Sequence, residues 1–259
     1  MVRNVGAQEL QLAHGIRGGI PEDRMTAIQA ALPRSLELRT LNPCLENPLV
    51  GLGSSHTRVR AHVRLSQGWH LLNEARIALV ESEACWLYYQ EYEPNTTEAA
   101  YWARFYLDDA VLRLYSSCGN LLKAVRHYWG LSLPPGDLLP AKVIAEAEKS
   151  SLPVLSRDIA ASLRNLDTEE WTICNQYRRD WVHNDRPAIE GLTWDVLVKD
   201  RAELQIPQGV LRALGYSARP SGTLISVGTG RKITDLKRIA SAAYCQLLDV
   251  YKRVVGLLT

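Results

Sequence analysis

Leu65, Leu72, Leu79 and Trp86 recur every seven residues, and Gly68, Ala75, Ser82 and Tyr89 fill the alternate three-four steps between them. That rhythm predicts a long helix over about 57–91, with a packing seam whose small residues let a neighbouring helix come close. Leu107, Val111, Leu114, Cys118, Leu121, Val125 and Tyr128 keep the same step and predict a second long helix over about 98–129. Pro94-Asn95-Thr96-Thr97 lies between the two runs as a turn, so the helices are expected to form an antiparallel hairpin. Leu236, Ala240, Ala243, Leu247, Val250, Val254 and Leu257 predict a last helix that starts at Thr234-Asp235 and lies against that hairpin.

The pattern between these elements is shorter in reach. Pro134-Pro135-Gly136 breaks the chain, and helices follow over about 137–149 and 154–166, the latter with Leu155, Ile159 and Leu163 on one side. Asp167 and Glu170 read as a capping box that opens a further helix carrying Trp171, Cys174, Trp181 and Val182 on one face, and Asn184-Asp185-Arg186-Pro187 ends it. After Pro187 come two β-type runs, 194–198 and 223–227, with a helical turn near 207–214 between them. They can pair as a small β-hairpin near the C-terminal part. Gly228-Thr229-Gly230-Arg231-Lys232 lacks the spacing and ending of a phosphate-binding loop and reads as a turn. Residues 1–56, rich in Pro and Gly, form a loop-rich N-terminal extension with one short helix opening at Pro21. The expected architecture is therefore all-α: an antiparallel helical bundle over 57–259, preceded by that extension.

A chain of 259 residues with 46% hydrophobic residues can bury a full core. Its net charge of +2 permits a polyanionic partner but confines the contact to a local patch. The five cysteines, Cys44, Cys85, Cys118, Cys174 and Cys245, are far apart, and three fall on apolar helix stripes, so they read as buried thiols. No pair of Cys or His has zinc-ligand spacing, and Asp108-Asp109 lack a third acid at helical spacing. Neither a metal nor another cofactor is expected. No apolar run approaches a membrane span and residues 1–9 lack the apolar core of a signal peptide, so a cytoplasmic protein without a membrane partner is expected.

The chemistry gathers on the helix after Asp167. Arg178 falls inside its apolar stripe, and a guanidinium aimed at a core must find a partner. Asp108 or Asp109 is the expected one. His183 follows five positions later. Arginine offers a phosphate a planar fork of donors, and histidine moves a proton near neutral pH. Yet positions i and i+5 lie about 140° apart on a helix, so the two do not share a face, whereas Arg179 and His183 do. Two copies of the helix related by a dyad would bring an arginine and a histidine together.

Tyr177-Arg178-Arg179-Asp180-Trp181-Val182-His183-Asn184, late in a bundle of long helices, resembles the Arg-x4-6-His motif of the HEPN superfamily, in particular its bacterial defence and toxin branches. The resemblance implies a metal-independent endoribonuclease that cleaves RNA by 2′-OH attack, leaving 2′,3′-cyclic phosphate and 5′-OH ends. It also implies a homodimer with a composite site and an antitoxin or other regulatory partner. Arg178 would stabilise charge on the phosphate and His183 would move the proton. Arg179, Asn184 and Asp109 would be auxiliary or substrate-binding. Some toxins of this type carry, two residues after the histidine, a tyrosine that a partner nucleotidyltransferase modifies; Asp185 stands there in this chain. The alternative is a non-catalytic dimerisation or RNA/nucleotide-binding module, with Arg178 held in a buried ion pair with Asp108 or Asp109, away from His183.

Overall fold

The computed structural model describes residues 18–34, 56–91, 97–134, 139–149, 155–183, 189–190 and 231–258. Among them the fold is all-α. The helices are α1 (Glu22–Ala30), α2 (His56–Glu91), α3 (Thr97–Trp129), α4 (Pro140–Lys149), α5 (Leu155–Arg164), α6 (Glu169–His183) and α7 (Ile233–Leu258). Two-residue strands β1 (Ile189–Glu190) and β2 (Arg231–Lys232) pair in parallel, Ile189 opposite Arg231. The β-type runs at 194–198 and 223–227 and the turn near 207–214 lie outside the described residues.

The long helices form the expected antiparallel hairpin. Arg64 reaches Asn120, Ser117 reaches Gly68, and Ser82 reaches Ala103, so partners on α3 descend as α2 ascends. The seven-residue seam is the core: Leu65, Leu72, Ala75 and Leu79 are buried on α2, facing Leu107, Leu114, Cys118, Leu121 and Val125 on α3. Ser82 and Ser117 are buried with them, and each hydroxyl donates to a carbonyl of the other helix, at 2.7 Å. Helix α7 completes the bundle with Leu236, Ala240, Ala243, Leu247, Val250 and Val254, all buried.

Gly68 is where three helices meet. The Ser117 hydroxyl donates to the Gly68 carbonyl, and the Tyr251 hydroxyl on α7 donates to the Ser117 carbonyl at 2.9 Å. A methyl group on Gly68 would overlap the Tyr251 hydroxyl and stand 3.0 Å from the Ser117 carbonyl oxygen. Alanine gains about 1 kcal/mol of helix propensity over glycine, but overpacking here costs about 1–3 kcal/mol, and displacing the tyrosine strands buried polar groups at about 1–3 kcal/mol more. Gly68→Ala is therefore expected to destabilise by roughly 2 kcal/mol, a fall in Tm of about 4–8 °C at this chain length. An unchanged or raised melting temperature would contradict this packing.

The described part of the N-terminal extension is not separate from the bundle. Helix α1 begins after Pro21, as expected, and the Arg76 guanidinium on α2 donates to the carbonyls of Gln29 and Leu32 at its end. The Tyr244 hydroxyl on α7 donates to the Pro33 carbonyl. The start of α6 differs from the expected capping box. Its cap is Thr168, one residue beyond Asp167: the Thr168 hydroxyl oxygen accepts from the Trp171 amide at 3.2 Å and donates to Gln246 of α7. A threonine hydroxyl accepts an orphan helix amide as an aspartate does, and here it also ties α6 to the last helix.

Candidate functional site

Helix α6 lays Trp171, Cys174 and Tyr177 into the core, with Arg178 half-buried beside them. Trp181 and Val182 share the expected angular sector but are 37% and 43% exposed, because the core ends before the last turn of the helix. The buried face is thus shifted toward Tyr177, which periodicity alone does not place inside. The Tyr177 hydroxyl donates to Asp108 of α3 at 2.5 Å, and the other Asp108 oxygen lies 4.0 Å from the Arg104 guanidinium; all three side chains are buried.

The expected pairing of Arg178 with Asp108 or Asp109 does not form. Asp108 takes the neighbouring residue, Tyr177, and Asp109 accepts from Arg113 one turn along α3 at 2.7 Å, with Glu74 of α2 joining Arg113 from the other side. Burial works against the Arg113 charge, but the two carboxylates together outweigh it and raise the pKa of the guanidinium. Asp109 therefore braces the hairpin surface. Arg178 instead lies over the ring of Tyr115, its guanidinium carbon 4.1 Å from the ring centre. The negative face of the ring takes the place of an ion-pair partner, and such contacts contribute about 0.5–2 kcal/mol. Tyr115 is seven residues beyond Asp108 and so on the same stripe of α3, the one signal in the sequence that could have pointed to it.

His183 is the last residue of α6, about 7.5 Å along the axis from Arg178. The His183 side chain and the whole of Asn184 lie outside the described residues. Arg179 is exposed on the opposite side from the core and donates to the Gln176 side-chain oxygen Oε1, while the Gln176 side-chain amide Nε2 donates to both oxygens of Asp180 at 2.8 Å.

Tyr115 also borders an open groove of about 570 Å³ between α2 and α3. Arg64 and His70 of α2 and Asn120 and Lys123 of α3 line it, with Glu74 at one end. Nothing in the sequence pattern marks these residues as a site. Among the described residues, no three His, Cys, Asp or Glu side chains converge as a metal site. Cys85, Cys118 and Cys174 are buried thiols, as expected, and burial pushes each up to about 12. Cys245 is half-buried, and Cys44 lies outside the described residues. No described helix is long and apolar enough to cross a membrane. Compared with family models, curated proteins and solved structures, the chain matches none.

Proposed function

We propose that this chain is a metal-independent endoribonuclease of the HEPN type, acting as a cytoplasmic homodimer in a toxin or defence setting. The observation that carries the reading is the state of Arg178: a half-accessible guanidinium over Tyr115, a ring that itself lines an open groove, on the helix that ends in His183. Were Arg178 a core cation of a binding module, a buried carboxylate would hold it, and both nearby candidates are engaged elsewhere. The exposed Trp181 and Val182 beside it suit a contact with a second copy. A dimer carries two copies of His183, enough for one base at the ribose 2′-OH and one acid at the leaving 5′-oxygen.

In the reaction, the 2′-oxygen forms a bond to phosphorus as its proton passes to an imidazole. The bond from phosphorus to the 5′-oxygen breaks, and that oxygen takes a proton. Arg178 stabilises charge on the pentacoordinate phosphate. The nucleophile is the RNA's own hydroxyl, so no metal-bound water is required. Purified protein incubated with mixed RNA in EDTA should give 2′,3′-cyclic phosphate ends, and a 2′-deoxy substrate should remain intact. Strict dependence on an added divalent metal, or cleavage of DNA, would reject the mechanism.

A further inference from the structure

Positive charge on the hairpin is distributed unevenly. Residues 56–73 of α2 and 110–129 of α3 contain no Asp or Glu, and the antiparallel pairing brings the start of α2 against the end of α3. Arg60, Arg64, Lys123 and Arg126 therefore gather at one end of the groove, and among the described residues none of them forms an ion pair. Their charges are felt locally: burial, then Arg126, Arg60 and Arg64, hold the His127 imidazole below its ordinary pKa. Arg64 is also held in place. It donates to Gln67 at 3.0 Å and to Asn120 across the groove at 3.5 Å, both neutral amides. A guanidinium positioned by neutral groups keeps its full charge for a ligand, in contrast to Arg113, which two carboxylates neutralise.

The remaining lining suits an elongated partner. Residues 64–74 of α2 run about 15 Å along the groove. On the α3 side Ser116 and Gly119 leave the wall low, and nothing lies within 4 Å of a side chain added at Gly119. At the other end stands Tyr115, with the Arg178 guanidinium over its ring. A cationic mouth on an open channel, with an aromatic ring farther along it, combines the two features that bind single-stranded nucleic acid without regard to sequence. We infer that the α2–α3 groove binds the sugar–phosphate backbone of a single strand, with Arg64 and Lys123 on phosphates and the strand leading past Tyr115 toward Arg178. The inference deepens the ribonuclease reading, giving the path of its substrate, but the binding itself does not depend on cleavage.

The test uses the full chain and a fluorescein-labelled oligodeoxythymidylate of 12 nucleotides, which lacks the 2′-OH and is not cut by the proposed chemistry. Anisotropy titrations across a salt series should give a steep dependence of affinity on salt. Arg64→Gln with Lys123→Gln should reduce that log–log slope by about 1.4, near 0.7 for each phosphate left without its cation, and weaken binding on the order of 10-fold to 30-fold at 0.1 M salt. Lys123→Gln alone, at a partly exposed position, should give about half the slope change and serves if the double variant unfolds. Arg164→Gln, on α5 and paired with Glu148, should leave the slope unchanged. An unaltered slope in Lys123→Gln overturns the inference. So does equal binding of polyglutamate or of vesicles containing phosphatidylserine, which would make the groove a general anionic surface. Binding without RNA cleavage would keep the groove and reject the ribonuclease; cleavage with KM unmoved by both substitutions would do the reverse.

Discussion

Asp108→Ala is expected to destabilise the protein by about 3–5 kcal/mol, the range for removing one member of a buried charged pair. The carboxylate is buried between α3 and α6, accepting from the Tyr177 hydroxyl at 2.5 Å and lying 4.0 Å from the Arg104 guanidinium. Alanine removes a counter-charge beside a buried arginine, takes away an acceptor of a buried phenol, and leaves a void where the carboxylate stood. At about 2–4 °C per kcal/mol the melting temperature should fall by about 10 °C. Asp108→Asn keeps the shape and an acceptor for Tyr177 while losing the charge, so it should fall between wild type and alanine. Tyr177→Phe should lose about 1–3 kcal/mol, since the carboxylate then keeps only part of its shell. Thermal melts of the three variants decide the matter: an Asp108→Ala protein as stable as wild type would mean that the buried acid does not hold α6 to the hairpin.

That acid also marks how far the sequence could be read. The long helices were legible because seven-residue spacing is a local property: α2, α3 and α7 begin within a residue or two of their expected starts, and α2 and α3 end where expected. The closeness of α2 to its neighbours was legible in Gly68 and Ser82 for the same reason. The rotation of α6 was not. Tyr177 and Arg178 differ by about 100° around the helix, and which of them meets Asp108 depends on how α6 docks against α3, a non-local fact. Periodicity ranked arginine as the group in need of a carboxylate. The fold gave the carboxylate to tyrosine and gave arginine a ring 63 residues away. The groove escaped for a related reason: Arg64 and Lys123 are ordinary surface cations until the antiparallel pairing sets them across one channel. The cap of α6 was missed by one residue, because Asp167 and Thr168 are both good caps and only contact with Gln246 of α7 distinguishes them.

The docking of α6 also decides what the motif substitutions should do. His183→Ala is expected to lower ribonuclease activity by about 10²–10⁴, the range for losing a general acid or base, and Arg178→Ala by about 10²–10³, the range for losing one donor aimed at developing charge. Arg179→Ala should have a smaller effect, since that side chain is exposed and tethered to Gln176. Arg178→Lys should recover little, because an ammonium lacks the planar fork that grips a phosphate. The arginine variants would be hard to interpret if Arg178 neutralised a buried acid, for its removal would then unfold the chain. It does not: Asp108 and Asp109 keep Tyr177 and Arg113 when Arg178 is gone, and the loss is one cation–π interaction of about 0.5–2 kcal/mol. Arg178→Ala should therefore melt within a few degrees of wild type while its cleavage collapses. If instead Arg178→Ala unfolds the protein and His183→Ala cleaves RNA at the full rate, the arginine is a structural cation and the chain is a binding module.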